Sequence, residues 1–300
     1  VIIVFTEHPI LGILLIPYIA ERLNDGTLQL VEQAFHASPE AMSIMSEAER
    51  QAIDIASYYT EKYLMGLYSR EKTVSRFLHK LSEDPERIKK KLLEMLALIR
   101  ENGLPFYQKQ AGSKILYAHH IYHINPHDVE IRVTFHVDSK TFRYQLQCYY
   151  EGQPFSLSEL KPVVVLTSSP ATLLLGMELY FFPHIESARI LPFTKKRSIS
   201  VDALQIEKYI DNIVIPIARY HDIETHGLNI TEEECACEAV LSFEDATYNG
   251  QALQLVFRYG DQTFAPDSAN EMKKIIYRKT SGEIGFFPRN ITVEEQAVQL

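Results

Sequence analysis

The chain is 300 residues long and 46% hydrophobic, enough to bury one large core or two to three small ones. Its 39 acidic and 30 basic side chains leave a formal net charge of −9, which excludes a protein living mainly by phosphate neutralisation; any nucleic-acid site must be local. Three cysteines, Cys148, Cys235 and Cys237, are too few for a disulfide framework and suit a reducing cytoplasm.

The opening VIIVF predicts a short buried strand. The longest apolar run, ILGILLI at residues 10–16, stops at Pro17, far short of the roughly 20 residues that span a bilayer. Glu7 precedes that run where a signal peptide carries positive charge, so a soluble, cytoplasmic protein is expected, with no membrane partner. The chain starts at Val1 without Met and closes on a helical pattern without a stop signal, so a piece of a longer polypeptide is expected.

Residues 38–103 read as helical. The clearest helix opens with Asp84 as N-cap and Pro85 at the first helical position, where its missing donor costs nothing. Ile88, Leu92, Met95, Leu96 and Ile99 recur at i, i+4, i+7, i+8 and i+11, and Gly103 is the predicted terminator. Lys89, Lys90 and Lys91 beside that stripe read as a solvated face rather than a nucleic-acid patch.

After Gly112 the pattern becomes β. Val129, Ile131, Val133, Phe135 and Val137 alternate with Glu130, Arg132, Thr134, His136 and Asp138. After a turn at DSKT, Phe142, Tyr144, Leu146, Cys148 and Tyr150 alternate again, which predicts a hairpin with one buried face. A second helix is predicted from Asp202, with Gln205 in the capping-box position and a stripe of Ile206, Ile210, Ile213, Val214 and Ile217. Pro216 predicts a kink or an early stop. Further strands follow, with Asn249-Gly250 as a turn signal.

The shared helical stripe prompts a search for repeats. QLQCYYEGQPF at residues 145–155 matches QLVFRYGDQTF at residues 254–264 with a constant offset of 109. Upstream, Glu130 and Phe135 match Glu238 and Phe243 with one residue of slippage; downstream, ELYFFP matches EIGFFP. Three matches in one order predict a duplicated unit, each a helix followed by an antiparallel sheet whose apolar face it covers.

Catalytic signatures are absent from the sequence. It has no G-x-x-x-x-G-K-[ST], no Asp-Glu dipeptide, no G-x-S-x-G and no H-E-x-x-H. His119, His120, His123 and His127 lack a completing carboxylate or thiol and read as half-exposed strand histidines, with His119 and His123 on one face. Cys235 and Cys237 read as small buried hydrophobes on one strand face. Two basic clusters remain. Lys195, Lys196 and Arg197 have no acidic neighbour in sequence between Glu186 and Asp202, with Arg189 upstream; Lys273, Lys274, Arg278 and Lys279 form the other. Each is either a phosphate contact or a turn and edge where lysine blocks unwanted pairing.

VIIVFTEHPILGILLIPYIAE, ARILPFTKKRSISV and LQLVFRYGDQTFAPDS resemble the N-terminal region of Bacteroidetes SWI/SNF-family helicases, over nearly the whole chain. The resemblance implies an accessory region of an ATP-dependent DNA translocase, with the motor beyond Leu300. No functional residue of the motor carries over.

The fold expected is α+β: a mainly helical region at residues 1–110, a first antiparallel unit at 111–200, and a helix plus second antiparallel unit at 201–300. The function expected is non-catalytic, helping to place DNA or regulate the motor, and the alternative is a protein-interaction scaffold that never touches nucleic acid. No metal and no cofactor are expected in this segment, with ATP and magnesium confined to the motor. The partners expected are the chain's own motor domains and DNA.

Overall fold

The computed structural model describes residues 1–8, 12–58, 85–109, 112–138, 140–246, 250–266, 272–279 and 283–299. The chain divides into two units, Val1–Val129 with Glu159–Arg189 and Glu130–Ser158 with Ile190–Leu300. Residues 130–158 thus group with the C-terminal part of the chain rather than with the rest of 111–200. Helices and sheets are both present and strand predominates, an α+β composition.

The first unit opens with the expected VIIVF strand, but as part of a sheet where the rest of residues 1–110 was expected to be mainly helical. Strands β1 (Ile2–His8), β2 (Gly12–Arg22) and β3 (Leu28–Gln33) form a meander. After α1 (Pro39–Ser43), α2 (Glu47–Ser57) and α3 (Pro85–Asn102), β4 (Phe106–Gln108) adds parallel to β1 and β5 (Ile115–Leu116) adds to β3. The mismatch lies in β2 and β3, where Pro17 interrupts the apolar run and only Leu30 of β3 is buried; β1 was expected and is buried on both faces. Ile3 and Phe5 belong to one core with Ala52, Ala56, Met95 and Ile99 of α2 and α3. Ile2 and Val4 belong to another with Leu30 and Leu116. A strand covered on both sides has no alternation to read.

In α3 the expected stripe is buried at Leu92, Met95, Leu96 and Ile99. Gly103 ends the helix at φ +60°, a left-handed turn in which Leu104 N–H donates to Ile99 O at 3.2 Å. The expected cap Asp84 lies outside the described residues. His119 and His120 form a 3₁₀ turn (Ala118–His120) instead of a strand, and His120 is buried. Among the described residues no helix is long and apolar enough to cross a membrane.

Next in the chain come β6 (His123–Asp128), β7 (Glu130–Val137), β8 (Thr141–Tyr150), β9 (Gln153–Phe155), β10 (Val163–Ser168), β11 (Ala171–Leu175) and β12 (Glu178–Phe182). The first unit takes β10-β11-β12-β6, with β12 parallel to β6. The second takes the predicted β7–β8 hairpin and β9. After α4 (Ser187–Ile190) and β13 (Ile199–Asp202), the helix α5 spans residues 206–218, and β14 (Asp222–His226) follows it. Strand β13 pairs with β8 and β14 lies parallel to β7, giving the order β13-β8-β7-β14. Gly227, at φ +76°, lets the chain leave β14 tight against β7; a Cβ there would stand 1.9 Å from Val137 O.

Asp202 ends β13 rather than capping a full α-helix, although its carboxylate still accepts from Leu204 N–H at 2.8 Å. Pro216 neither stops α5 nor bends it at random. The turn before it, Ile210–Val214, is π-helical, and Ile215 N–H donates to Ile210 O. Proline lacks a donor and its ring crowds the carbonyl four residues back; a widened turn lets the helix continue past both demands.

The rest of the second unit is β15 (Ile230–Glu232), β16 (Glu238–Ala246), β17 (Gly250–Tyr259), β18 (Gln262–Phe264), β19 (Lys274–Arg278), β20 (Ile284–Pro288) and α6 (Ile291–Val298). The pairings follow the string matches. Cys148↔Phe155, Tyr149↔Pro154 and Tyr150↔Gln153 correspond, 109 positions on, to Phe257↔Phe264, Arg258↔Thr263 and Tyr259↔Gln262. Glu130↔Tyr149 corresponds to Glu238↔Arg258, with the slippage expected. Strand β12 lies between β6 and β11 as β20 lies between β15 and β19, parallel to the first and antiparallel to the second. Among the described residues, β10, β13 and β14 have no counterpart in the later set.

Candidate nucleic-acid interface

Lys195, Lys196 and Arg197 link the 3₁₀ turn Leu191–Thr194 to β13. Pro192 sets that turn, and its carbonyl accepts from the N–H groups of Lys195 and Lys196 at 3.2 and 3.1 Å. Phe193 anchors the segment from below, buried against Tyr144 with ring centroids 5.5 Å apart. The three cations are exposed, and none has an ion-pair partner among the described residues.

The second cluster is arranged differently. Lys273 and Lys274 N–H both donate to Arg219 O, at 2.8 and 3.3 Å, which ties the start of β19 to the end of α5. Lys273 is exposed, whereas Lys274 Nζ lies 5.3 Å from the Phe286 ring centroid. Arg278 reaches back to α5, where it pairs with Glu207 and with Asp211 at 3.2 Å. Lys279 pairs with Glu233 and donates to Thr231 at 3.0 Å. Glu233 in turn accepts from Tyr277. Hydrogen bonds from Lys279 and then Tyr277 hold the Glu233 carboxyl below its ordinary value. Arg189, in the first unit, lies 4.0 Å from Glu186. Of the eight cations, Lys195, Lys196, Arg197 and Lys273 are thus exposed and unpaired among the described residues.

A polar surface beside the triplet went unassigned in the sequence. Ser200, Arg143, His136 and His226 stand in one row across β13, β8, β7 and β14. Arg143 is exposed, and the His136 and His226 rings stack at 4.5 Å with 10° between planes. His226 Nε2 lies 3.0 Å from Glu224, and Arg132 lies 4.5 Å from the Tyr149 ring centroid. The alternation of residues 130–138 already set Arg132 and His136 on the face opposite Ile131 and Val133. What it lacked was the flanking of this hairpin by β13, which brings the triplet to the β8 edge.

The other candidate centres carry less. Cys235 and Cys237 lie in the link between β15 and β16 instead of on a strand, half-buried against Phe257, Tyr259, Ile275 and Phe287. Burial pushes the Cys148 thiol up to about 12. His120 is lowered, by burial first and then by His119. Among the described residues no three His, Cys, Asp or Glu side chains gather in a set that could hold a metal.

Lys195, Lys196 and Arg197 thus form an exposed basic turn at the rim of the β13–β8–β7–β14 sheet. The chain belongs to the bacterial SNF2 helicase-associated family, whose model matches residues 92–288, from within α3 to the end of β20. No curated protein and no solved structure matches it.

Proposed function

We propose that this region is a non-catalytic accessory part of an SNF2-type, ATP-dependent DNA translocase, which helps place DNA or regulates the motor. The family match is the observation that carries the reading. The region needs no ATP, magnesium or other cofactor of its own; those serve the motor, its main partner, in the cytoplasm. Its two helix-plus-sheet sets are copies of one duplicated unit, a reading supported by the shared registers of β7–β9 and β16–β18.

Within this function the triplet is the DNA handle. Lys195, Lys196 and Arg197 are uncommitted to any carboxylate among the described residues, whereas Arg278 and Lys279 already neutralise Glu207, Asp211 and Glu233. The test is a salt titration of DNA binding by the helicase and by its Lys195→Ala/Lys196→Ala/Arg197→Ala variant. Each phosphate contact releases about 0.9 of a counterion, so the variant's slope should flatten by roughly two to three units. An unchanged slope gives the triplet back to solvent as edge protection. A second reading, a scaffold that does not touch DNA, is favoured by the internal use of the second basic cluster, and an unchanged slope supports it.

A further inference from the structure

The two meanders of the second unit have the same pairing and different surroundings. On the first, Ile131 and Val133 are 3% and 1% exposed. The layer over their face includes α5, whose Tyr209 ring meets Phe142 at 5.7 Å and whose Ile210, Val214 and Ile217 are buried. The outer edge of β7 is taken by β14, in parallel register from Asp222↔Arg132 to His226↔His136.

On the second meander the counterparts of Ile131 and Val133 are Ala239 and Leu241. Both are exposed, Leu241 at 60%. Among the described residues the cover on their face lies towards the β18 end, where Phe257 and Tyr259 pack with Ile275 and Phe287. The backbone edge of β16 at residues 240–244, the counterpart of the edge that β14 takes, has no strand partner among the described residues. An apolar face and an open edge on one strand mark an unfinished layer.

We propose that this face is finished by a helix–strand segment of the SNF2 helicase polypeptide that the region accompanies. The first meander specifies the chemistry of the occupant. It is an amphipathic helix with an α5-like stripe laid over Leu241, followed by a strand that adds parallel to β16 through main-chain hydrogen bonds. Continuity supports the choice: the helix and strand that complete the first meander follow it in the chain, after β12 and α4, and α6 follows β20 as α4 follows β12. The inference rests on the accessory reading above and names the contact through which the region would reach its motor.

Amide hydrogen exchange without DNA tests it, on residues 1–300 alone and on the full helicase polypeptide carrying them. Amides of residues 239–244 should exchange readily in the first and at least about tenfold more slowly in the second. Leu241→Asp should leave thermal unfolding of residues 1–300 unchanged and abolish the added protection in the helicase. Equal exchange in the two proteins overturns the proposal. So does protection in residues 1–300 that grows with protein concentration, which would assign the edge to a second copy. DNA-stimulated ATPase activity separates the two readings. If the β16 protection is present but deleting the region leaves that activity and DNA binding unchanged, the docking stands and the regulatory function falls.

Discussion

Val133 and Leu241 occupy corresponding places in two meanders of one register, yet one is 1% exposed and the other 60%. Their own strands do not differ enough to account for this. Each sits on the same face as its cross-strand partner, Leu146 and Leu255 respectively. What differs is the next layer, since α5, Phe193, β13 and β14 surround the first meander. A period-2 pattern therefore encodes which face wants cover, while the cover comes from elsewhere in the polypeptide.

The largest expected contrast comes from placing one charge at both positions. Val133→Asp should destabilise residues 1–300 by on the order of 5 kcal/mol, because it buries an unpaired carboxylate. Leu241→Asp should stay within about 0.5 kcal/mol. Urea unfolding of both variants measures the difference, and equal effects would break the comparison.

The segments after β12 and β20 give the next contrast. After β20, Arg289 and Glu294 form a bidentate pair, each side chain 4% exposed. Glu294 also accepts from Tyr259 at 2.7 Å, and Arg289 donates to Met272 O at 2.9 Å. Burial, then bonding to Cys237, raises the Tyr259 hydroxyl well above its ordinary value. After β12 the ion pair among the described residues is the loose Glu186–Arg189 contact, with Glu186 54% exposed. Glu294→Ala strands a buried guanidinium and should cost about 3 kcal/mol, against less than about 0.5 for Glu186→Ala. Chemical denaturation would read both.

Thiol chemistry sharpens the comparison further, because Cys148 stands on β8 where β17 has Phe257. With its thiol buried and pushed up to about 12, Cys148 should resist alkylation at neutral pH until the protein unfolds. Cys235 and Cys237, half-buried, should react first, with mass spectrometry scoring the order.

The smallest effect concerns pH. The Glu233 carboxyl is held below its ordinary 4.5 in the folded state, so its stabilising contribution is complete above that value and is lost as pH falls through the folded one. Lys279→Met removes the first cause of that depression. The difference in Tm between wild type and variant should shrink as pH falls from about 5 to about 2. A difference that stays constant across that window would mean the Lys279–Glu233 pair contributes nothing.

Much of this was legible in the sequence where interactions are local. Tyr150 with Gln153, and Tyr259 with Gln262, pair across tight turns, so the string match carried the register itself. The α3 stripe and its Gly103 stop were equally readable. The resemblance to SWI/SNF-type helicases led to the right family. Of the β1–β3 sheet only the opening VIIVF strand was legible; β2 carries Pro17 within its apolar run, and β3 buries only Leu30, so neither showed a clear strand pattern. The partners of Arg278 were not legible either, since Glu207 and Asp211 lie some 70 positions away and meet it only after α5 and β19 have packed. The triplet's place beside β8 depended likewise on a strand, β13, of only four residues.

The widened turn ahead of Pro216 acts as a phase shifter. One residue advances an α-helix by about 100°, so a widened turn shifts which neighbouring positions join the buried face, although Ile217 stays buried beyond it. Ile215 is buried while Ile213 is only partly so, although a regular stripe favours Ile213. A relative without this proline would keep the same buried surface with one residue fewer in α5. A gap-free alignment through the helix would then compare inward-facing positions of one protein with outward-facing positions of the other.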